Sequence, residues 1–170
     1  MDLRSHIRDI PDFPKKGIIF KDITPLLGDP EAFQYAVEAL ASRYETQNFD
    51  KIVAVESRGF IFGAALALRM HRGLVPVRKP GKLPAETIRQ SFELEYGQDA
   101  LEIHKDALRP GEKALIVDDL LATGGTLEAA AKLVEAIGGQ VHEIATLIEL
   151  TFLNGRERLA PHPYYACIQF

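Results

Sequence analysis

Cysteine is nearly absent: Cys167 is the single thiol in 170 residues, so no internal disulfide can form. It lies in the apolar run Tyr164–Ile168, where a buried structural thiol is expected rather than a nucleophile. Long hydrophobic runs are missing as well. The longest candidate, Phe60–Met70, contains Gly63 and Arg69 and is too short to cross a bilayer. Met1-Asp2-Leu3-Arg4 opens with mixed charge and has no apolar stretch of signal-peptide type, so a cytoplasmic location is expected. An excess of positive charge is also lacking. A formal net charge of -4 argues against a nucleic-acid partner or a membrane partner, while leaving room for a local basic pocket. The histidines are scattered and form no cluster with cysteine, which removes the usual reason to expect zinc. No repeat, low-complexity tract or long linker divides the chain, and its length suits a single domain over residues 1–170.

What is present is an alternation of strand and helix patterns. Asp29-Pro30 before Glu31–Tyr44 reads as a capped helix, with Phe33, Val37, Leu40 and Tyr44 on one stripe. Lys51–Val55 reads as a buried strand that stops at Glu56-Ser57-Arg58-Gly59, followed by a helix over Phe60–His71 and a strand over Leu74–Val77. Between Lys79 and Leu108, proline, glycine and alternating polar residues predict an irregular loop region with hairpin character. Ala114–Val117 is a fully apolar strand, expected to be broken by Asp118-Asp119. Thr126–Ile137 has helical spacing and ends at Gly138-Gly139, and Val141–Leu150 and Tyr164–Phe170 are further strands. The order implies an α/β fold with a mainly parallel sheet flanked by helices. Ligands in such folds bind beyond the carboxyl ends of the strands, where Glu56–Gly59 and Asp118–Thr126 fall.

The segment from Val117 to Thr126 carries the most chemistry. A buried strand delivers two carboxylates, Asp118 and Asp119, and the loop Ala122-Thr123-Gly124-Gly125-Thr126 then opens a helix. Backbone amides left free at the positive end of that helix favour phosphate, the two glycines allow close approach, and Thr123 and Thr126 add hydroxyl donors. Carboxylates repel phosphate, so Asp118 and Asp119 need another partner, and ribose hydroxyls beside a 5-phosphate supply it. The loop lacks the Gly-Lys-Ser/Thr ending of a Walker A motif and is not a dinucleotide G-x-G-x-x-G.

This succession resembles the signature by which type I phosphoribosyltransferases hold phosphoribosyl pyrophosphate (PRPP). The resemblance implies that family's fold, with a mobile catalytic loop and a small N-terminal hood. It assigns the ribose hydroxyls to the acidic pair and the 5-phosphate to Ala122–Thr126. It further implies that Glu56, Ser57, Arg58 and Gly59 bind pyrophosphate through backbone amides around a cis Glu56–Ser57 peptide, with Arg78, Lys79 and Lys82 as cations at the same mouth. Read without it, Glu56–Gly59 is equally a plain turn and Arg78–Lys82 a solvated basic loop. Mg2+ is the cofactor implied, held through substrate phosphates rather than by a protein cage.

Phe13–Pro25, Glu56–Phe62, Arg78–Pro84, Leu94–Gly97 and Leu147–Thr151 resemble, in that order, the adenine-specific members of the family. That likeness implies transfer of the phosphoribosyl group from PRPP to adenine, giving AMP and diphosphate, and a homodimer, for which the apolar stretch Phe60–Leu68 offers a surface. Phe20 and Leu150 would sandwich the purine, the Ile19 backbone would read its edge, and Arg58 and Lys21 would lie close by. Many members have arginine at the position of Lys21, and a lysine there loses the planar fork. Phe92 is a second, smaller departure. Glu95 is the catalytic candidate, a carboxylate suited to taking the purine's proton; on composition alone, Glu93, Glu95 and Glu102 read as a solvated hairpin face. A transferase for a 6-oxopurine such as guanine or xanthine, and a PRPP-binding regulator without catalysis, are the competing readings.

Overall fold

The computed structural model describes residues 1–94 and 97–170. Its centre is a five-stranded, wholly parallel sheet in the order β4-β3-β7-β8-β9, formed by Gly73–Val77, Lys51–Val55, Lys113–Leu121, Gln140–Glu149 and Tyr164–Gln169. Strands with both faces covered need apolar residues at successive positions, and β3 and β7 meet that need with Ile52–Val55 and Ala114–Val117, all inaccessible to solvent. Alternate residues serve opposite sides. Leu115 and Val117 pack with helices α2 (Pro30–Tyr44) and α3 (Gly59–Arg69), while Ala114 and Ile116 pack with α4 (Gly125–Ala136) and with Phe92, Leu101 and Ile103.

Asp29 caps α2 as expected, its Oδ1 accepting from the amides of Glu31 and Ala32 at 2.9 and 3.1 Å. Helix α3 starts one residue earlier than expected and stops at Arg69, short of His71, whose φ of 52° is left-handed. The region 79–108 resolves into an antiparallel hairpin of β5 (Thr87–Glu93) and β6 (Gln98–His104). Two small elements carried no periodic signal: a ribbon of β1 (Arg8–Pro11) and β2 (Ile19–Asp22), and the one-turn helix α1 (Thr24–Gly28).

One expectation is corrected. Asp118-Asp119 does not break its strand, because β8 continues beside it with Asp118 opposite Thr146, Leu120 opposite Ile148 and Leu121 opposite Glu149. Parallel pairing on that edge outweighs the low strand preference of aspartate. Cys167 is half-buried, and burial pushes its thiol up to about 11. Along α3, Ile61 and Leu68 stay exposed, as does Leu74 on the edge strand β4. No described helix is long and apolar enough to cross a membrane.

Candidate active site

The carboxyl ends of β3 and β7 converge on a cleft of ≈ 360 Å³ lined by Glu56, Ser57, Arg58, Lys79, Asp118, Asp119 and the loop Ala122–Thr126. Gly124 has a φ of 90° and no side chain caps α4, so the first-turn amides of the helix are left for an anion. Gly59 brings the other wall in: a Cβ there would lie 2.8 Å from Asp118 Oδ1 and 3.0 Å from the Val117 carbonyl. The Glu56–Ser57 peptide is cis, in agreement with the resemblance.

The acidic pair is almost solvent-free. Asp118 Oδ1 accepts from the amide of Asp119 at 2.8 Å. Burial, and then the negative charge of Asp119, drive the Asp118 carboxyl well above the usual range. Burial raises Asp119 as well, against the opposing pull of Arg58. Arg58 Nε lies 3.0 Å from Asp119 Oδ2 but off the line of a hydrogen bond, so that buried oxygen keeps an unfilled acceptor site. A hydroxyl donor in the cleft would fill it.

The basic segment is engaged with carboxylates. Glu56 takes Arg78 Nε at 3.3 Å, the Lys79 amide at 2.9 Å and the Lys82 ammonium. Burial works against the charge of Glu56, yet Lys82 and the Lys79 amide hold its carboxyl below the usual range. Lys79 pairs with Asp99 on β6. Of the three expected cations, only Lys79 lines the cleft; Arg78 and Lys82 stand around Glu56 at its margin.

A second, more apolar pocket of ≈ 540 Å³ adjoins the first, lined by Gly17–Lys21, Arg58, Leu120, Ala122, Thr123, Leu150, Phe152 and Leu153. Arg58 belongs to both: its guanidinium lies 5.0 Å from the Phe20 ring centroid while its Nε faces Asp119. Ile19, Phe20 and Leu150 line the pocket as expected. The ammonium of Lys21 is drawn aside, 2.7 Å from Asp9 Oδ1 and 4.0 Å from the Phe170 ring centroid, so it neither forks nor stacks toward the pocket. Glu95 lies outside the described residues.

Several contributors to the site were not assigned a role from the sequence. Phe152 and Leu153 complete the apolar pocket. Asn154-Gly155, which opens α5 (Gly155–Leu159), backs the loop Ala122–Thr126 so closely that a Cβ on Gly155 would sit 2.2 Å from the Ala122 carbonyl. Glu149, next to Leu150, is gripped by Arg156 at 3.0 and 2.6 Å and by Gln169 at 3.0 Å, fixing the end of β8. An Asn-Gly pair advertises a turn, but not the neighbour that the turn touches.

A model of the phosphoribosyl transferase domain matches residues 25–169. The adenine phosphoribosyltransferase of Chloroflexus aurantiacus is 59% identical, over 99% of this chain and 98% of its own. The crystal structure of the adenine phosphoribosyltransferase from Thermoanaerobacter pseudethanolicus superposes with a TM-score of 0.97 at 59% identity, covering 99% of this chain and 98% of that one. That of Saccharomyces cerevisiae, complexed with adenine and an imino-altritol bisphosphate, gives 0.92 at 41% identity, over 97% and 96%.

Proposed function

The chain belongs to the phosphoribosyltransferase family, and from that premise we propose that it transfers the 5-phosphoribosyl group of PRPP to adenine, releasing AMP and diphosphate in purine salvage. The observation that carries this reading is the pair of adjoining pockets bridged by Arg58. One is polar, with an acidic pair and an uncapped helix start; the other is apolar and sized for a flat base.

In this reading Ala122–Thr126 holds the 5-phosphate and Asp118 and Asp119 accept from the ribose hydroxyls, the orphaned Oδ2 of Asp119 taking one of them. The backbone of Glu56–Gly59 and the cations Arg78, Lys79 and Lys82 meet the diphosphate. Adenine lies between Phe20 and Leu150 with its edge toward the Ile19 backbone. The bond from the anomeric carbon to diphosphate breaks as the bond to the purine nitrogen forms, and the purine proton passes to Glu95. Charge on the ribose ring is oxocarbenium-like at that point, so fixed geometry and the buried carboxylates matter more than any nucleophile.

Mg2+ fits this donor set. It would be held through the substrate phosphates and the ribose hydroxyls, with Asp118 and Asp119 orienting those hydroxyls in the cleft. When bound, the ion neutralises charge on the departing diphosphate. The enzyme works as a single domain in the cytoplasm and pairs through the exposed face of Ile61, Leu68 and Leu74 as a homodimer. A 6-oxopurine presents acceptor where adenine presents donor. The test of the PRPP site is calorimetric titration with Mg2+–PRPP: micromolar-range binding lost in Asp119→Ala supports the reading, and equal binding by the variant rejects it.

A further inference from the structure

Asp99 and Phe92 face each other across the β5–β6 hairpin as one rung of the ladder. The two side chains go to different loops. Asp99 holds the Lys79 ammonium, whose side chain lines the polar cleft on the diphosphate side. Phe92 is 7% exposed and packs among the α4 residues; its Cδ2 lies 3.3 Å from where a Cβ on Gly125 would stand. Gly125 is in the loop assigned to the 5-phosphate. A single pair of opposed residues therefore touches both phosphate-binding loops, which approach from separate strands, β4 and β7.

The hairpin links the two loops through continuous backbone pairing. Seven consecutive rungs pair from Thr87–His104 to Glu93–Gln98. Its base is bonded to the basic segment through the Arg78 amide to the Glu102 carbonyl at 3.0 Å and the reverse bond at 2.7 Å, with the Gly81 amide on Glu102 Oε2 at 3.2 Å. On the other side of Phe92 the Arg158–Glu128 ion pair stands across an open pocket of ≈ 210 Å³. A shift of the Phe92–Asp99 rung therefore acts on the Lys79 ammonium through Asp99 and on the ground beside Gly125 through the Phe92 ring.

We propose that the Phe92–Asp99 rung is a positioning device that fixes the diphosphate loop and the ribose-phosphate loop relative to one another, so that occupancy of either prepares the other. This rests on the assignment of the two loops made above. It predicts cross-effects: a change on one side of the rung alters binding on the far side, which neither contact reaches directly.

The test uses two probes that each fill half of the cleft, ribose 5-phosphate and Mg2+–diphosphate, titrated into the wild-type chain, Asp99→Asn and Phe92→Leu. Asp99→Asn is expected to weaken ribose 5-phosphate, and Phe92→Leu to weaken diphosphate, each by about five-fold, the low end of ordinary coupling between sites. Thermal unfolding of each variant verifies that the fold survives. Asp99 is partly exposed, so Asp99→Asn keeps the fold and decides the matter even where Phe92→Leu does not. Variants that change only the ligand of the loop they touch overturn the proposal while leaving the site assignment standing. Failure of the wild-type chain to bind either probe overturns both.

Discussion

Replacing Gly155 with alanine adds one methyl group in the most crowded place beside the site. The new Cβ would lie 2.2 Å from the Ala122 carbonyl oxygen, 3.1 Å from its carbon and 3.1 Å from Leu121 Cδ1. Both obstacles nearest to it are backbone, so no rotamer change relieves the clash. Opening the gap from 2.2 Å to an ordinary contact of 3.4 Å moves either α5 or the phosphate loop by roughly 1 Å. The α5 side is braced by Arg156 on Glu149 and by Arg158 on Glu128, whereas Ala122 belongs to a loop of small residues. The loop should yield. Overpacking of this kind costs about 1–3 kcal/mol, equivalent to a fall of roughly 2–12 °C in Tm for a chain of this length. The larger effect is on the ligand: a displacement of about 1 Å at a preorganised site is enough to lower kcat/KM for PRPP by about a hundred-fold. Initial rates at varied PRPP, with thermal unfolding as the control for folding, measure both. A folded Gly155→Ala chain with wild-type kcat/KM for PRPP would show that the α5 turn does not support the phosphate loop.

Asp118→Asn should raise Tm near neutral pH while weakening PRPP binding, because the native carboxyl is raised by burial and by Asp119. With a folded value above the unfolded one, its stabilising share is present below the ordinary carboxylate range and is lost as pH rises through the raised value; a Tm gain for Asp118→Asn that is larger at pH 4 than at pH 7 contradicts this. Glu95→Gln should lower kcat by about 10²- to 10⁴-fold with PRPP affinity little changed, and unchanged turnover removes Glu95 from proton transfer. Arg58→Lys loses the planar contact over Phe20, so KM for adenine should rise by about five-fold, read from initial rates at saturating PRPP. Chelation of divalent ions should abolish turnover yet leave the Tm of the ligand-free chain unmoved, since among the described residues no metal cage exists; a falling Tm points to a structural ion instead.

Much of the site could be read from local chemistry. The run of apolar strand, paired carboxylates, Thr/Gly loop and helix needs only neighbours in sequence, and Asp118–Thr126 does line the cleft. The cap at Asp29, the strands β3 and β7 and the turn at Glu56–Gly59 were legible for the same reason. What depended on tertiary neighbours was not. Nothing near Asp118 announces that β8 runs on beside it and keeps it in the strand, and nothing near Lys21 announces Asp9 across the β1–β2 ribbon. That ribbon has four residues per strand, too few for a period of two to emerge from Pro11, Gly17 and mixed charge. Gly155 reads as a turn residue, and its real function, letting two backbones touch, exists only after folding. Phe92, a departure from the family pattern in the sequence, packs its ring toward Gly125, a neighbour that only the fold supplies.

The identity of the acceptor is tested most directly by offering the purified chain PRPP and Mg2+ with adenine, guanine, hypoxanthine and xanthine in separate reactions and identifying the nucleotide by mass. AMP from adenine, with the 6-oxopurines at least about a hundred-fold slower, is the predicted result. Nucleotide formed preferentially from a 6-oxopurine, or from no base at all, contradicts it.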